Sequence, residues 1–321
     1  MIACVAHITP RSAFGTPLKG DTLFGQLCWA LRNRLGEEVL TQLLDGYTVG
    51  RPFVVISDAL PAGHLPRPAL PGHWFKPLPG DDRKAAKKRV WLPVEHFAAP
   101  VADWLNHCRA ASELPSGSAQ AHPHPHNAID RRTGTTGKGF APYSMGRQWY
   151  GKDAALDIHI VLDESRLSIA DLEQALRDIG ELGFGRDAGI GLGRYRVDAF
   201  EPAFLPSQPD ANAWLTLAPC APQGLAWDAG RCFYTVFTRF GRHGDIGVHR
   251  GNPFKAPVLL ANTGAVLAPK SYDNLPFTGQ GLGGIGADGE GILSKAIPET
   301  VHQGYAPVVG ISLPAPGQHK P

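Results

Sequence analysis

Gly183-Phe184-Gly185-Arg186-Asp187-Ala188-Gly189-Ile190-Gly191-Leu192-Gly193 places five glycines within eleven residues. Its flanks decide how it is read. Before it, Ile169, Leu172, Leu176, Ile179 and Leu182 recur at helical spacing behind Ser168, a residue type that caps helix N-termini. After it, residues 194–200 read as a strand. Gly183-x-Gly185-x-x-Ala188 formally matches a dinucleotide-binding fingerprint, but that fingerprint follows a strand and opens a helix. Here the order is reversed, and the dinucleotide reading falls. Two readings remain. One is a helix C-cap with left-handed turns. The other is a bare backbone between Arg186 and Arg194 that lets a phosphate chain approach closely.

Outward from this loop, Ile2, Cys4, Ala6 and Ile8 alternate on one face of a first strand. Asp21 then reads as the N-cap of a helix whose apolar stripe is Leu23, Phe24, Leu27, Cys28, Leu31 and Leu35. Residues 51–57 predict a second, buried strand, and residues 141–150 and 156–162 predict two strands of a hairpin. The order strand–helix–strand, insertion, strand–helix–glycine loop–strand is the βαββαβ pattern of a ferredoxin-like (RRM-like) domain. The expected fold class is therefore α+β. A first domain covers 1–201 with insertions at about 61–140, a linker runs over 202–230, and a smaller α+β domain occupies 231–321. Within the insertion, Pro61–Pro79 predicts an extended surface loop, 83–89 a basic run, and 112–126 a mobile, His/Pro-rich segment.

The 321 residues carry 31 Lys and Arg against 29 Asp and Glu, a formal charge of +2, which excludes a bulk polycation but not local basic patches. Glycine (38) and proline (29) make a fifth of the chain, and 43% hydrophobic residues still supply a core, so the sequence is folded but heavily punctuated. No apolar run approaches the roughly 18 residues of a membrane span, and the start lacks a cationic signal region. Five dispersed cysteines without a CxxC pair fit a reducing compartment, so a cytoplasmic location is expected, with no membrane partner.

Further segments suggest contacts with nucleic acid. Asn127, Arg131, Arg132 and Lys138 sit on a tip rich in glycine and threonine that can lie along a phosphate backbone, or be a solvated hairpin tip. The nearby Gly134–Gly139 stretch fails the P-loop spacing. His249, Arg250, Asn252, Phe254 and Lys255 combine cations, an amide and a ring, enough to pin a phosphate and stack a base, or to form an ordinary turn. His122, His124 and His126 alternate with prolines and have no nearby thiol or carboxylate, so no metal site is expected. No cofactor motif is present.

These residues together resemble the RAMP superfamily of CRISPR effector proteins. Within it, they are most similar to the family of the fourth, Cas-five-like subunit of type III-A Csm complexes. Phe14–Leu31, Val54–Pro68, Asn127–Tyr143, Gly183–Tyr195 and Asn252–Leu267, with Gly304-Tyr305-Ala306, carry the resemblance in order along nearly the whole chain. It implies two ferredoxin-like RAMP domains with glycine-rich loops and an inserted thumb hairpin. It also implies a non-catalytic subunit that anchors the crRNA 5′ handle, docks the large polymerase-like subunit and the backbone RAMP subunit, and meets target RNA only indirectly. Carried over by residue, Arg11, Ser12, Lys19, Gly185, Arg186, Gly189, Gly191, Gly193 and Arg194 face the handle, and Asn127, Arg131, Arg132 and Lys138 form the thumb. The competing expectation is a RAMP endoribonuclease using His7, His249 or His302 as general base.

Overall fold

The computed structural model describes residues 1–78, 80, 83–114, 119–137, 139, 141–224 and 226–314. In the N-terminal half β1 (Ile2–Pro10) leads to α1 (Gly20–Leu35), α2 (Glu37–Leu44) and β2 (Val54–Pro61). An insertion follows: β3 (His64–Pro66), α3 (Arg83–Lys88), β4 (Arg89–Pro93), α4 (Trp104–His107), β5 (Arg109–Ala110), β6 (Gln120–His126) and β7 (Tyr143–Trp149). The chain then returns through β8 (Leu156–Leu162), α5 (Ile169–Leu182) and β9 (Tyr195–Pro202).

The first sheet is antiparallel in the order β2-β8-β1-β9, the arrangement that a βαββαβ chain order produces. Its even-numbered β1 side chains, Cys4, Ala6 and Ile8, are buried under the helices. Leu23, Phe24, Leu27 and Leu31 of α1 and Leu172, Leu176 and Ile179 of α5 close that core from the other side. Period 2 meets period 3.6 as the alternation predicted. Ser168 caps α5, its hydroxyl accepting from the Asp171 N–H at 3.1 Å.

The expected 141–150/156–162 hairpin does not form. β7 pairs instead with β6, while β8 is claimed by β1 and β2, which offer it buried apolar partners on both edges. Of the His/Pro-rich segment expected to be mobile, Gln120–His126 is thus a strand, and residues 115–118 lie outside the described residues. Pro123 and Pro125 lack N–H groups and are spaced by two, so both sit where the backbone points away from β7 and no ladder bond is lost.

Beyond β9 come β10 (Ala213–Thr216), β11 (Val236–Arg239), β12 (Val258–Ala261), β13 (Val266–Leu267), β14 (Phe277–Gly279), β15 (Leu282–Gly283), β16 (Val301–His302) and β17 (Tyr305–Ile311). A second antiparallel sheet runs β13-β10-β17-β14. Two expectations change here. The 202–230 linker contains β10, a fully buried central strand. No α-helix follows Leu182 among the described residues, so the C-terminal sheet lacks the helices of a second complete ferredoxin-like unit. The insertion supplies the cover. Leu65, Leu70, Trp74, Phe75, Leu92, Trp104 and Leu105 pack with Leu215, Val266, Val309 and Ile311 in one core. The proline-rich stretch after Pro61 is for that reason largely buried, not a surface loop. The Gln303 amide joins the two sheets, donating to Ile56 O at 2.8 Å and accepting from Ile56 N–H at 2.9 Å.

Candidate nucleic-acid interface

The glycine-rich loop lies where β1 ends, α1 begins and α5 ends. It is tied to the loop after β1 by backbone bonds, Arg11 N–H to Arg194 O at 2.7 Å and Gly193 N–H to Ala13 O at 2.8 Å, and it is closed on itself by Phe184 N–H to Gly193 O at 2.9 Å. The Ser12 hydroxyl accepts from Arg194 N–H at 2.9 Å, and the Thr16 hydroxyl accepts from Arg186 N–H at 3.0 Å. Gly193 has φ +74° and its missing Cβ would stand 2.1 Å from Phe184 O, so glycine is required by conformation and by space.

The base of the hairpin joins the same ledge. Phe14 and Gln148 exchange backbone bonds at 2.8 and 2.9 Å, and the Arg186 guanidinium donates to Gly146 O at 2.8 Å. Three stretches far apart in sequence form one surface. On it Arg11 and Arg194 are exposed, and Gly189 and Gly191 face open space. Such a cationic ledge with little side-chain bulk suits the backbone of a nucleic acid.

The hairpin rises from this ledge. Register places Gln120, His122, His124 and His126 opposite Trp149, Arg147, Met145 and Tyr143, so these eight side chains share one face. His126 stacks on Tyr143 (centroids 5.1 Å, interplanar 7°), His124 meets His126 edge-on at 5.1 Å, and Arg147 Nη2 donates to His126 Nε2 at 3.4 Å. Desolvation, then Arg147, then His126 hold the His124 imidazole below its ordinary value. Sequence reasoning missed Tyr143, Arg147 and Trp149. The signal was the period-2 alternation of His122, His124 and His126, which is a strand pattern once the prolines are placed on the open edge. Arg131, Arg132 and Asn127 are exposed at the tip, and Arg131 and Arg132 have no ion-pair partner among the described residues. Lys138 lies outside the described residues. Among those residues no group of three or more His, Cys, Asp or Glu is arranged to hold a metal ion.

Lys19 turns inward. Its Nζ donates to Asp58 Oδ2 at 2.8 Å, Thr263 Oγ1 at 3.0 Å and Asn262 Oδ1 at 3.3 Å. Asp58 sits in a bulge of β2 that aims its carboxylate at the start of α1, where Oδ1 accepts from Gly20 N–H at 2.9 Å. Burial raises the Asp58 carboxyl against the opposing pull of Lys19. Asp58, reaching across from β2, therefore does the capping expected of Asp21. Asp21 falls inside the first turn, buried, with Arg239 donating to it at 2.6 and 2.9 Å, and His302 Nε2 lies at ion-pair distance, 3.4 Å. Burial pushes its carboxyl up, but His302 and Arg239 outweigh this and hold it down at about 2.

The segment 249–255 does not join the ledge as one body. His249, Arg250 and Asn252 are exposed, and Asn252 Oδ1 accepts from Phe254 N–H at 3.1 Å in a local turn. Arg250 lies near Glu37, whose carboxyl is lowered first by Arg32 and less by Arg250. Glu37 follows the C-terminal end of the 16-residue α1, about 24 Å along the axis from its start. Lys255 is partly buried close to Cys28 and Asp21, and that burial lowers its ammonium. Of the histidines, His7 has both ring nitrogens engaged, with Asp157 at 2.6 Å and Glu201 at 3.1 Å, and His302 is buried against Asp21. Engagement at His7 and burial at His302 keep both away from a substrate.

No family model and no curated protein matches the sequence. Solved structures do. A chain of a Csm1–Csm4 cassette in complex with cA4 superposes with TM-score 0.59 at 16% identity, covering 98% of this chain and 99% of its own. The same cassette with pppApA gives 0.57 at 15% identity, with 97% and 99% covered. A Csm3–Csm4 subcomplex of the type III-A CRISPR–Cas interference complex gives 0.54 at 13% identity, with 88% and 95% covered. The chain shares its fold with these chains of Csm1–Csm4 and Csm3–Csm4 assemblies. The insertion and the C-terminal sheet belong to that shared fold as much as the N-terminal sheet does, because the matches with the Csm1–Csm4 cassettes cover 97–98% of this chain.

Proposed function

We propose that this chain is a non-catalytic, cytoplasmic subunit of a type III-A effector complex. In this reading it anchors the 5′ handle of a crRNA and docks a Csm1-like large subunit and a Csm3-like backbone subunit. Target RNA is met only through the guide. The observation that carries the reading is the ledge: loops 11–16 and 183–194 and the hairpin base are locked together by backbone bonds and leave Arg11 and Arg194 exposed beside bare glycines. Phosphate contacts supply affinity there, and the hairpin face stacks unpaired bases. The two RAMP units would be the N-terminal βαββαβ domain and a C-terminal unit reduced to its sheet.

Filter binding of a crRNA with its handle tests the ledge. Arg11→Ala/Arg194→Ala is expected to weaken binding about tenfold or more at moderate salt and to shallow the log K against log[salt] slope by about 1.4, two single-strand phosphate contacts. Unchanged affinity at two salt concentrations refutes the ledge assignment. Incubation with precursor RNA tests the non-catalytic reading, since specific cleavage lost in His7→Ala contradicts it.

A further inference from the structure

The β11–β12 ribbon has two unlike faces. The inner one is committed. Leu260 is buried, Arg239 grips Asp21, and the Phe237 ring lies under Arg239 (4.7 Å) and Lys19 (5.8 Å). On the outer one, Val236 is 62% and Leu259 66% exposed; Thr238 pairs directly with Leu259, so the three share that face. Phe240 (77%) and Phe254 (64%) extend the apolar surface at the ribbon's end, with Arg242 5.8 Å from the Phe254 ring. This many large apolar side chains exposed side by side mark an interaction site.

The edge of the ribbon is open as well. Asn262 N–H donates to Thr235 O at 2.9 Å, which fixes residues 235, 237 and 239 as the ones bonded to β12. The N–H and C=O groups of Val236 and Thr238 therefore point to the other side of β11. Among the described residues nothing hydrogen-bonds to them there, and the ribbon has two strands only. An unpaired strand edge beside an apolar face is a template for another strand.

We infer that β11 receives an extended segment of a protein partner, added antiparallel or parallel along its open edge, with apolar side chains laid beside Val236 and Leu259. The inference rests on the reading of this chain as one subunit of an assembly. The edge selects a polypeptide: the outward N–H and C=O groups of Val236 and Thr238 offer alternating donors and acceptors at the spacing of another peptide backbone. Arg242, exposed and 5.8 Å from the Phe254 ring, makes that end of the ribbon cationic. The partner segment accordingly carries carboxylates at that end.

Two substitutions separate edge from face. Thr238→Pro removes an outward N–H without costing a β11–β12 bond, and Leu259→Asp puts a charge on the face. The full-length chain is titrated calorimetrically with the Csm1-like and the Csm3-like subunit, with thermal melts as a control for folding. Val236→Lys replaces Leu259→Asp if the latter does not fold. The expected result is at least about tenfold weaker binding to one of the two subunits for both variants, with crRNA affinity within about twofold of wild type. Wild-type affinity of Thr238→Pro for both subunits overturns strand addition, and loss of crRNA with both subunits retained overturns the protein partner. A wild-type chain that binds neither subunit removes the assembly reading and this inference with it.

Discussion

The glycine-rich loop and the hairpin tip look alike in sequence, since both mix glycine with arginine between ordered elements. The fold treats them in opposite ways. Loop 183–194 is stitched to residues 11–16 by backbone bonds, and Gly193 is pressed against Phe184. The tip at 127–137 stands in solvent, with Gly134 facing open space and Arg131 and Arg132 exposed. Glycine in the first region permits close packing. In the second it only permits a turn. Composition alone does not distinguish a loop that is part of the scaffold from one that is carried by it.

Substitutions can test that contrast, and the largest effect belongs to the buried carboxylate at the head of α1, which both loops leave untouched. Asp21→Ala strips Arg239 and His302 of their buried partner at the head of α1 and is expected to cost about 3 kcal/mol in urea unfolding. The pH dependence has a definite sign. The folded Asp21 carboxyl is depressed to about 2, so its contribution is present above the unfolded value near 4 and is lost as pH falls from there through about 2. Asp21→Ala should flatten stability across that acid window, and an unchanged acid slope would show that the pair is not coupled to folding.

Gly193→Ala comes next, at about 2 kcal/mol, because φ +74° and the 2.1 Å approach to Phe184 O both oppose a Cβ. A thermal melt at wild-type temperature would show that the loop yields and that the contrast is overstated. Arg131→Ala/Arg132→Ala is expected to leave the melt unchanged and weaken crRNA binding several-fold, measured by filter binding at two salt concentrations. The smallest effect is expected for Gly134→Ala. It meets no atom within 4 Å, so only the left-handed backbone (φ +67°) resists, by about 1 kcal/mol confined to the tip. Hydrogen exchange restricted to the hairpin would register it, and a global loss of stability would contradict a free-standing tip.

Much of the N-terminal unit was legible because its elements are amphipathic. Ile2, Cys4, Ala6 and Ile8 alternate, and Leu172, Leu176 and Ile179 repeat by helical turns, so each segment announces the face it buries. The hairpin was not legible in the same way. Proline argues against a strand, and only the pairing with β7 shows that Pro123 and Pro125 occupy an outer edge. Asp21 met the sequence rule for a cap and does not cap, because capping depends on backbone geometry and on which carboxylate reaches the free N–H groups. Asp58 reaches them from 38 residues away.

Local patterns were enough for the βαββαβ order of the N-terminal unit, the apolar faces of β1, α1 and α5, the Ser168 cap and the residues able to carry charge onto a loop. These depend on near neighbours, whose chemistry repeats at the period of a strand or a helix. Only long-range packing shows that the proline-rich insertion covers the C-terminal sheet, that Lys19 turns inward to Asp58, Asn262 and Thr263, and that no strand among the described residues pairs with the outer edge of β11. Those outcomes depend on contacts between residues up to 244 positions apart, and no local pattern encodes a partner at that distance.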